Sequence, residues 1–201
     1  MNERPEFKPF PKLARLSRNV VASEKLDGSN GSVLITEDGD IFTGSRTRWI
    51  TPQDDNFGFA RWVEGNKEDI LKLGPGHHFG EWVGSKIQRT YGLDHKRFYL
   101  FNAIRWCAYG STPQRIDSGE DPRVEKYQET VPEILYIVPV LYKGLFDTAM
   151  IQSTLESLEI TGSVAVPNYM NPEGVVIWHT AANVGFKKTL GGDGHKGETK
   201  S

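Results

Sequence analysis

The chain has 201 residues, 37% hydrophobic and 25% charged, a composition that suits one globular domain and excludes disordered, collagenous and coiled-coil proteins. With 24 Lys and Arg against 26 Asp and Glu the net charge is −2, so no bulk positive field draws it onto nucleic acid or anionic membrane, and any polyanion site has to be local. The longest apolar run, residues 134–141, falls far short of the ~20 residues of a bilayer span. The leading residues carry no signal-peptide core, and the single cysteine, Cys107, cannot close an internal disulfide; the expectation is a soluble, cytoplasmic protein without a membrane partner.

Residues 7–18 alternate basic and apolar side chains and are expected to form a solvated face packed by Phe10, Leu13 and Leu16. The β pattern begins at Asn19: Val20-Val21-Ala22 leads to a turn at Asp27-Gly28, and residues 32–36 and 40–44 flank Asp38-Gly39, which predicts a hairpin with a two-residue turn. Residues 57–73 read as a helix broken near Gly65 and ended by Gly74-Pro75-Gly76. Strands are predicted over 78–83 and 98–106, a surface excursion over 109–132, and another strand over 134–142. Asp147 stands at an N-cap position, with Ile151, Leu155 and Leu158 on one apolar face up to Gly162, the best-defined helix of the chain. Strands over 174–180 and 184–189 close a domain expected to span residues 1–190, followed by a polar, flexible tail over 191–201.

His77, His78 and His95 are too irregularly spaced for a metal cage and are expected at the surface or half-buried. Cys107, with no base nominated beside it, reads as a small core residue. What stands out is Glu24-Lys25-Leu26-Asp27-Gly28-Ser29-Asn30. A Lys-x-Asp-Gly alone is also an ordinary polar strand-to-turn corner, but here Lys25 ends an apolar strand, where its amine can be held partly desolvated, and the glycine lets a bulky ligand approach the backbone.

This segment resembles the nucleophile motif of the covalent nucleotidyltransferase superfamily, which includes ATP-dependent DNA and RNA ligases and mRNA capping enzymes. Further likenesses follow in the family's order: Gly44-Ser45-Arg46, Phe79-Gly80-Glu81-Trp82-Val83-Gly84, the aromatic Phe98-Tyr99-Leu100-Phe101-Asn102, then Pro172-Glu173-Gly174-Val175-Val176 and Phe186-Lys187-Lys188. Asn30, five residues after the lysine, and the Gly-Glu after Phe79 bring the chain nearest to the RNA ligase 2-type branch. There are two departures. Asn102 stands where many ligases have Asp. Lys187 and Lys188 are adjacent where the family separates two lysines by one residue, so either Lys187 is the first and Thr189 replaces the second, or Gly185 replaces the first; alternation of Phe186 with Val184 favours the former.

The resemblance implies an α+β fold in which two antiparallel β-sheets flanked by helices enclose a nucleotide cleft, ATP-grasp-like and without an OB domain. It implies ATP and Mg2+ (or Mn2+) as cofactors and Lys25 as the nucleophile attacking the α-phosphate. An amine at its free pKa of ~10.4 is protonated at neutral pH, so cationic neighbours and partial burial have to favour the neutral form. Lys187 and the metal would neutralise phosphate charge, Glu173 would hold the metal, Glu81 would bond the ribose hydroxyls, and Phe101 would stack on adenine. Glu24 would help fix the base, Asn30 would arrange the adenylylated end, and Arg46 would lie near the ribose or the acceptor phosphate. The function so implied is an ATP-dependent polynucleotide ligase, RNA being the expected substrate, that joins a 5′-phosphate to a 3′-hydroxyl through lysyl-AMP. Substrate grip would come from Lys86, Arg89, Lys96 and Arg97 or from an accessory protein. Two other readings stay open: a nucleic-acid end-binding or regulatory module without turnover, and a GTP-using RNA-capping guanylyltransferase.

Overall fold

The computed structural model describes residues 6–101 and 131–191. Asn102, Cys107, the predicted strand residues 102–106, most of the predicted excursion and the tail beyond Gly191 lie outside the described residues. Among those described, the strands are β1 (Asn19–Lys25), β2 (Ser29–Ile35), β3 (Ile41–Gly44), β4 (Trp49–Ile50), β5 (Gly76–Gly84), β6 (Lys96–Leu100), β7 (Leu135–Ile137), β8 (Val140–Leu145), β9 (Gly174–His179) and β10 (Val184–Thr189). The helices are α1 (Phe59–Gly65), α2 (Lys67–Leu71) and α3 (Thr148–Thr161), and none is long and apolar enough to cross a membrane.

The strands form two sheets, ordered β10-β9-β1-β8 and β4-β3-β2-β5-β6-β7. All pairs are antiparallel except β6 with β7, which is parallel. The smaller sheet packs Val20, Ala22, Val175 and Ile177 against Ile151, Leu155 and Leu158 of α3, a helix capped by Asp147, whose carboxylate accepts from the Ala149 N–H at 2.8 Å. The larger sheet buries Val33, Ile35, Trp82, Phe98 and Leu100 against Phe59, Ala60 and Val63 of α1. A third cluster, Leu26, Val83, Tyr91, Tyr99, Val138 and Val166, lies between the two sheets. The chain crosses from one sheet to the other at residues 26–28 and again at Val138-Pro139.

That second crossing corrects the strand predicted over 134–142, which is two strands in different sheets. Pro139 has no N–H to continue a ladder; its carbonyl instead accepts from the Glu24 N–H at 2.9 Å, where the β1–β8 register shifts. The first hairpin also differs. Its loop is three residues long, because the Thr36 N–H still bonds the Asp40 carbonyl at 3.0 Å and Gly39 takes the left-handed position with φ +83°. The short β4 has no alternation to announce it in sequence. The helix break falls at Asn66, between α1 and α2. Phe10, Leu13 and Leu16 do not pack inward as expected: they are 86%, 84% and 67% exposed, because Pro9 and Pro11 preclude the helix that would align them. His78 is buried, its Nε2 2.9 Å from the Gly74 carbonyl, whereas His77 and His95 are exposed.

Candidate active site at the sheet junction

Side chains directly opposite each other on neighbouring strands share a face, so strand pairing sorts the candidate residues. Lys25 on β1 pairs with Gly174 on β9, and Gly174 pairs with Thr189 on β10. Two residues back, Ser23 pairs with Val176, and Val176 with Lys187. Lys25, Lys187 and Thr189 therefore lie on one face of the smaller sheet. Lys188 lies on the other, where its Nζ donates to Gln152 Oε1 of α3 at 2.8 Å. Lys187 is exposed. Lys25 meets Glu173 directly, Nζ to Oε2 at 2.6 Å, with side-chain exposures of 22% and 17%.

Glu24, one residue earlier, points to the face opposite Lys25. It is 1% exposed and its carboxylate accepts from Ser163 Oγ at 2.6 Å and from the Val164 and Ala165 N–H groups at 2.8 Å each. Burial pushes its acidity toward the neutral form, and these three donors oppose that shift. Both oxygens are occupied in clamping the loop after α3, an arrangement different from the base contact the resemblance implies. Tyr99 adds a second tie, its hydroxyl donating to the Ala165 carbonyl at 3.1 Å; burial raises that hydroxyl to about 12.

On the larger sheet, Asn30 and Glu81 are direct partners between β2 and β5. Asn30 Nδ2 donates to Glu81 Oε2 at 2.9 Å, and the Gly28 N–H donates to Glu81 Oε1 at 3.1 Å. Burial is the largest influence on Glu81 and carries its pKa up to about 7; the Gly28 N–H and the charge of Lys25 pull it down, while Glu173 and Asp27 push it up. Gly28 has a steric reason distinct from the ligand approach expected of it: a Cβ there would sit 2.4 Å from the Trp82 carbonyl oxygen and 2.6 Å from Val83 Cγ1. The glycine lets β5 close on the turn, which is how Glu81 comes within reach.

Two residues that sequence reasoning did not assign to this role, Arg89 and Tyr91, hold the junction. Arg89 Nε bonds Asp27 Oδ2 at 3.0 Å, while its Nη1 donates to the Asn171 carbonyl at 2.8 Å and the Asn171 side-chain oxygen at 2.9 Å. The turn after Lys25 is thus tied to the segment before Glu173. Tyr91 accepts the Asp27 N–H at 2.7 Å, and burial pushes its own ionisation up. These contacts span 62, 82 and 64 positions in sequence, so no local periodicity announces them. The expected substrate patch changes accordingly: Arg89 is engaged here, Lys96 donates to the Phe57 carbonyl at 2.6 Å, and Arg97 bonds His95 at 3.0 Å and lies over the Tyr136 ring.

Two expected residues stand apart from this cluster. Arg46 is exposed in the bend between β3 and β4. Phe101, 41% exposed, follows β6, its N–H bonding the Phe79 carbonyl at 2.8 Å, on the face that carries Glu81. No group of three or more potential metal ligands occurs among the described residues. A magnesium site built on the lone Glu173 carboxylate is the kind that relies on water and phosphate oxygens for its other ligands.

A family model described as RNA ligase matches residues 18–190. Structures of Naegleria gruberi RNA ligase share the fold: a mutant solved with ATP and Mn aligns with a TM-score of 0.58 at 21% identity over 87% of this chain and 50% of that one. A mutant with AMP and Mn gives 0.56 at 19% over 87% and 50%, and an apo mutant 0.57 at 22% over 86% and 50%. The chain thus spans about half the length of these solved relatives. No curated protein matches it.

Proposed function

The chain belongs to the RNA ligase family, and from that premise we propose that it is an ATP-dependent RNA ligase acting through a covalent lysyl-AMP, with Lys25 as nucleophile and residues 1–190 as its adenylation domain. The observation that carries this reading is the Lys25–Glu173 contact at 2.6 Å, with Lys187 on the same sheet face and Glu81 and Asn30 presented from the facing sheet.

In the first step Lys25 Nζ attacks the α-phosphorus of ATP: an N–P bond forms, the bond to the β-phosphate oxygen breaks, pyrophosphate leaves, and the amine gives up a proton. The attacking amine has to be released from the Glu173 carboxylate, whose Oε2 lies 2.6 Å from it. Glu173 is the carboxylate placed to hold Mg2+ or Mn2+, and ATP with manganese in the Naegleria structures supports that cofactor pair. The metal, when bound, supplies charge neutralisation at the phosphate oxygens. Lys187 supplies more from the neighbouring strand. Glu81 accepts from the ribose hydroxyls, Phe101 stacks on adenine, and Asn30, held by Glu81, arranges the adenylylated end. Glu24 acts as a positioning residue through the 163–165 loop. Transfer of AMP to an RNA 5′-phosphate and attack by a 3′-hydroxyl complete the cycle.

The test is intact-protein mass after incubation with ATP and magnesium. One AMP per chain is expected, none on Lys25→Ala, and none from GTP. An adduct that never seals RNA ends would favour the end-binding module, GTP labelling would favour the capping enzyme, and no adduct at all would sink the proposal.

A further inference from the structure

The face of the larger sheet that carries Glu81 also carries an exposed aromatic row, of which the chemistry above uses only Phe101. Strand pairing aligns Phe101, Phe79, Ser32, Gly44 and Trp49 as successive cross-strand neighbours over β6, β5, β2, β3 and β4. The next row on the same face is His77, Leu34 and Phe42. Phe42, Trp49 and Phe79 are 49%, 53% and 51% exposed, whereas Phe98 and Trp82, facing α1, are 0% and 2%. The rings touch in sequence: Phe42 to Trp49 at 6.1 Å, Trp49 stacked on His77 at 5.8 Å, and His77 to Phe79 at 4.0 Å between centroids. Small side chains make the middle of the row flat, since the Trp49 ring lies 3.4 Å from where Gly44 would carry a Cβ.

We propose that this ladder is a stacking platform for unpaired bases of the RNA strand being joined, running outward from the nucleotide site to β4. The proposal rests on the ligase reading and names its substrate as single-stranded at this face. Exposed rings on a sheet are the recurring means of holding unpaired bases, because every base has a π-face and no Watson–Crick pairing has to be read. From Phe79 on β5 to Trp49 on β4, three inter-strand steps of ~4.8 Å give a row of roughly 14 Å, long enough for a few nucleotides. Phe101, at the inner end of the row, is taken by adenine in the ligase reading, so a strand lying along the rings from Phe79 to Trp49 ends beside the bound nucleotide. At the far end Arg46 and Arg48 stand in the bend beside Trp49. Arg48 is paired with Asp54, and Arg46 makes no ion pair with any described residue, which leaves a cation for a phosphate next to the last ring. With a net charge of −2, bulk counterion release is weak, so stacking has to carry a large share of the affinity.

The experiment compares wild type, Trp49→Ala, Phe42→Ala and Trp49→Phe for binding a short labelled single-stranded RNA and an RNA duplex of the same length, alongside AMP labelling of each. Trp49 and Phe42 lie outside the ATP contacts, so labelling should survive and reports that the variants are folded. Trp49→Ala should weaken single-strand binding on the order of 10-fold or more, Phe42→Ala less, Trp49→Phe should restore most of it, and duplex binding should hold. Unchanged single-strand affinity with intact labelling overturns the ladder alone, and would mean that a protein surface covers these rings. An equal loss for single strand and duplex also overturns it. A wild-type chain that takes no AMP yet loses single-strand affinity on Trp49→Ala would overturn the ligase reading and keep the ladder.

Discussion

Replacing Glu81 with Gln isolates the cost of holding a carboxylate at the sheet junction. Burial carries this group from the ordinary 4.5 to about 7, which makes its ionised form unfavourable by about 3 kcal/mol in the folded chain. Between these values the folded protein retains a proton that the unfolded chain has released, so stability falls as pH rises through the window from 4.5 to 7, and the full penalty stands above it. Glutamine keeps an acceptor for the Gly28 N–H but faces Asn30 Nδ2 with one mismatched group, a loss of about 1 kcal/mol. Urea denaturation should therefore show the variant slightly less stable near the acid end of the window and about 2 kcal/mol more stable above neutrality, with the acid-to-neutral slope flattened. Parallel pH profiles for the two proteins would refute the reasoning. The same titration bears on function: nucleotide affinity should rise as pH passes through about 7 and Glu81 becomes the ionised acceptor for the ribose, and in the glutamine variant that rise should vanish.

Three further outcomes separate structural from chemical roles. Glu24→Ala leaves Ser163 Oγ and the Val164 and Ala165 N–H groups without their acceptor and should lower unfolding stability by roughly 3 kcal/mol, read from the urea midpoint. Arg89→Met, at a half-exposed ion pair, should cost only about 1 kcal/mol of stability while slowing AMP labelling well beyond that, because it unties the Asp27 turn from the segment before Glu173. Lys187→Ala should slow labelling on the order of 100-fold or more, whereas Lys188→Ala, on the face turned to α3, should stay within a few-fold of wild type in the same time course.

Local structure was legible where one face is buried and period or cap chemistry is clean: α3 with its Asp147 cap, β1, β5, β9 and β10 all fall close to where alternation and helical spacing put them. The apolar stretch from 134 to 142 misled because burial on both sides of Pro139 looks continuous in sequence, while the proline transfers the chain from one sheet to the other. The leading segment misled for the opposite reason, its apolar residues recurring at a spacing that the backbone, interrupted by Pro9 and Pro11, does not convert into a face. At the junction, the motif order singled out Lys25, Glu81 and Glu173, while Arg89 was expected only as substrate grip and Tyr91 not at all, because their work lies in tertiary contacts to Asp27. The aromatic ladder was invisible because its members come from three strands, and only pairing register puts Phe42, Trp49, His77 and Phe79 on one face.

The Lys-x-Asp-Gly segment has a structural burden apart from any chemistry, and this explains why its neighbours are so constrained. Residues 26–28 carry the chain across from one sheet to the other, and each side chain or amide near the crossing is answered by a distant group: Glu24 by 163–165, Lys25 by Glu173, Asp27 by Arg89 and Tyr91, Gly28 by Glu81. Lys25 alone among these side chains lies on the smaller sheet's face with Lys187 and Thr189. A lysine at a strand end with only solvent around it would keep its rotational freedom. Here the crossing fixes its backbone from both sides, and on the ligase reading proposed above attack on phosphorus requires the release of one carboxylate, 2.6 Å away. On that reading, fixing the backbone of Lys25 in advance reduces the orientational entropy of the attack, and the position of Glu173 decides when Lys25 can react.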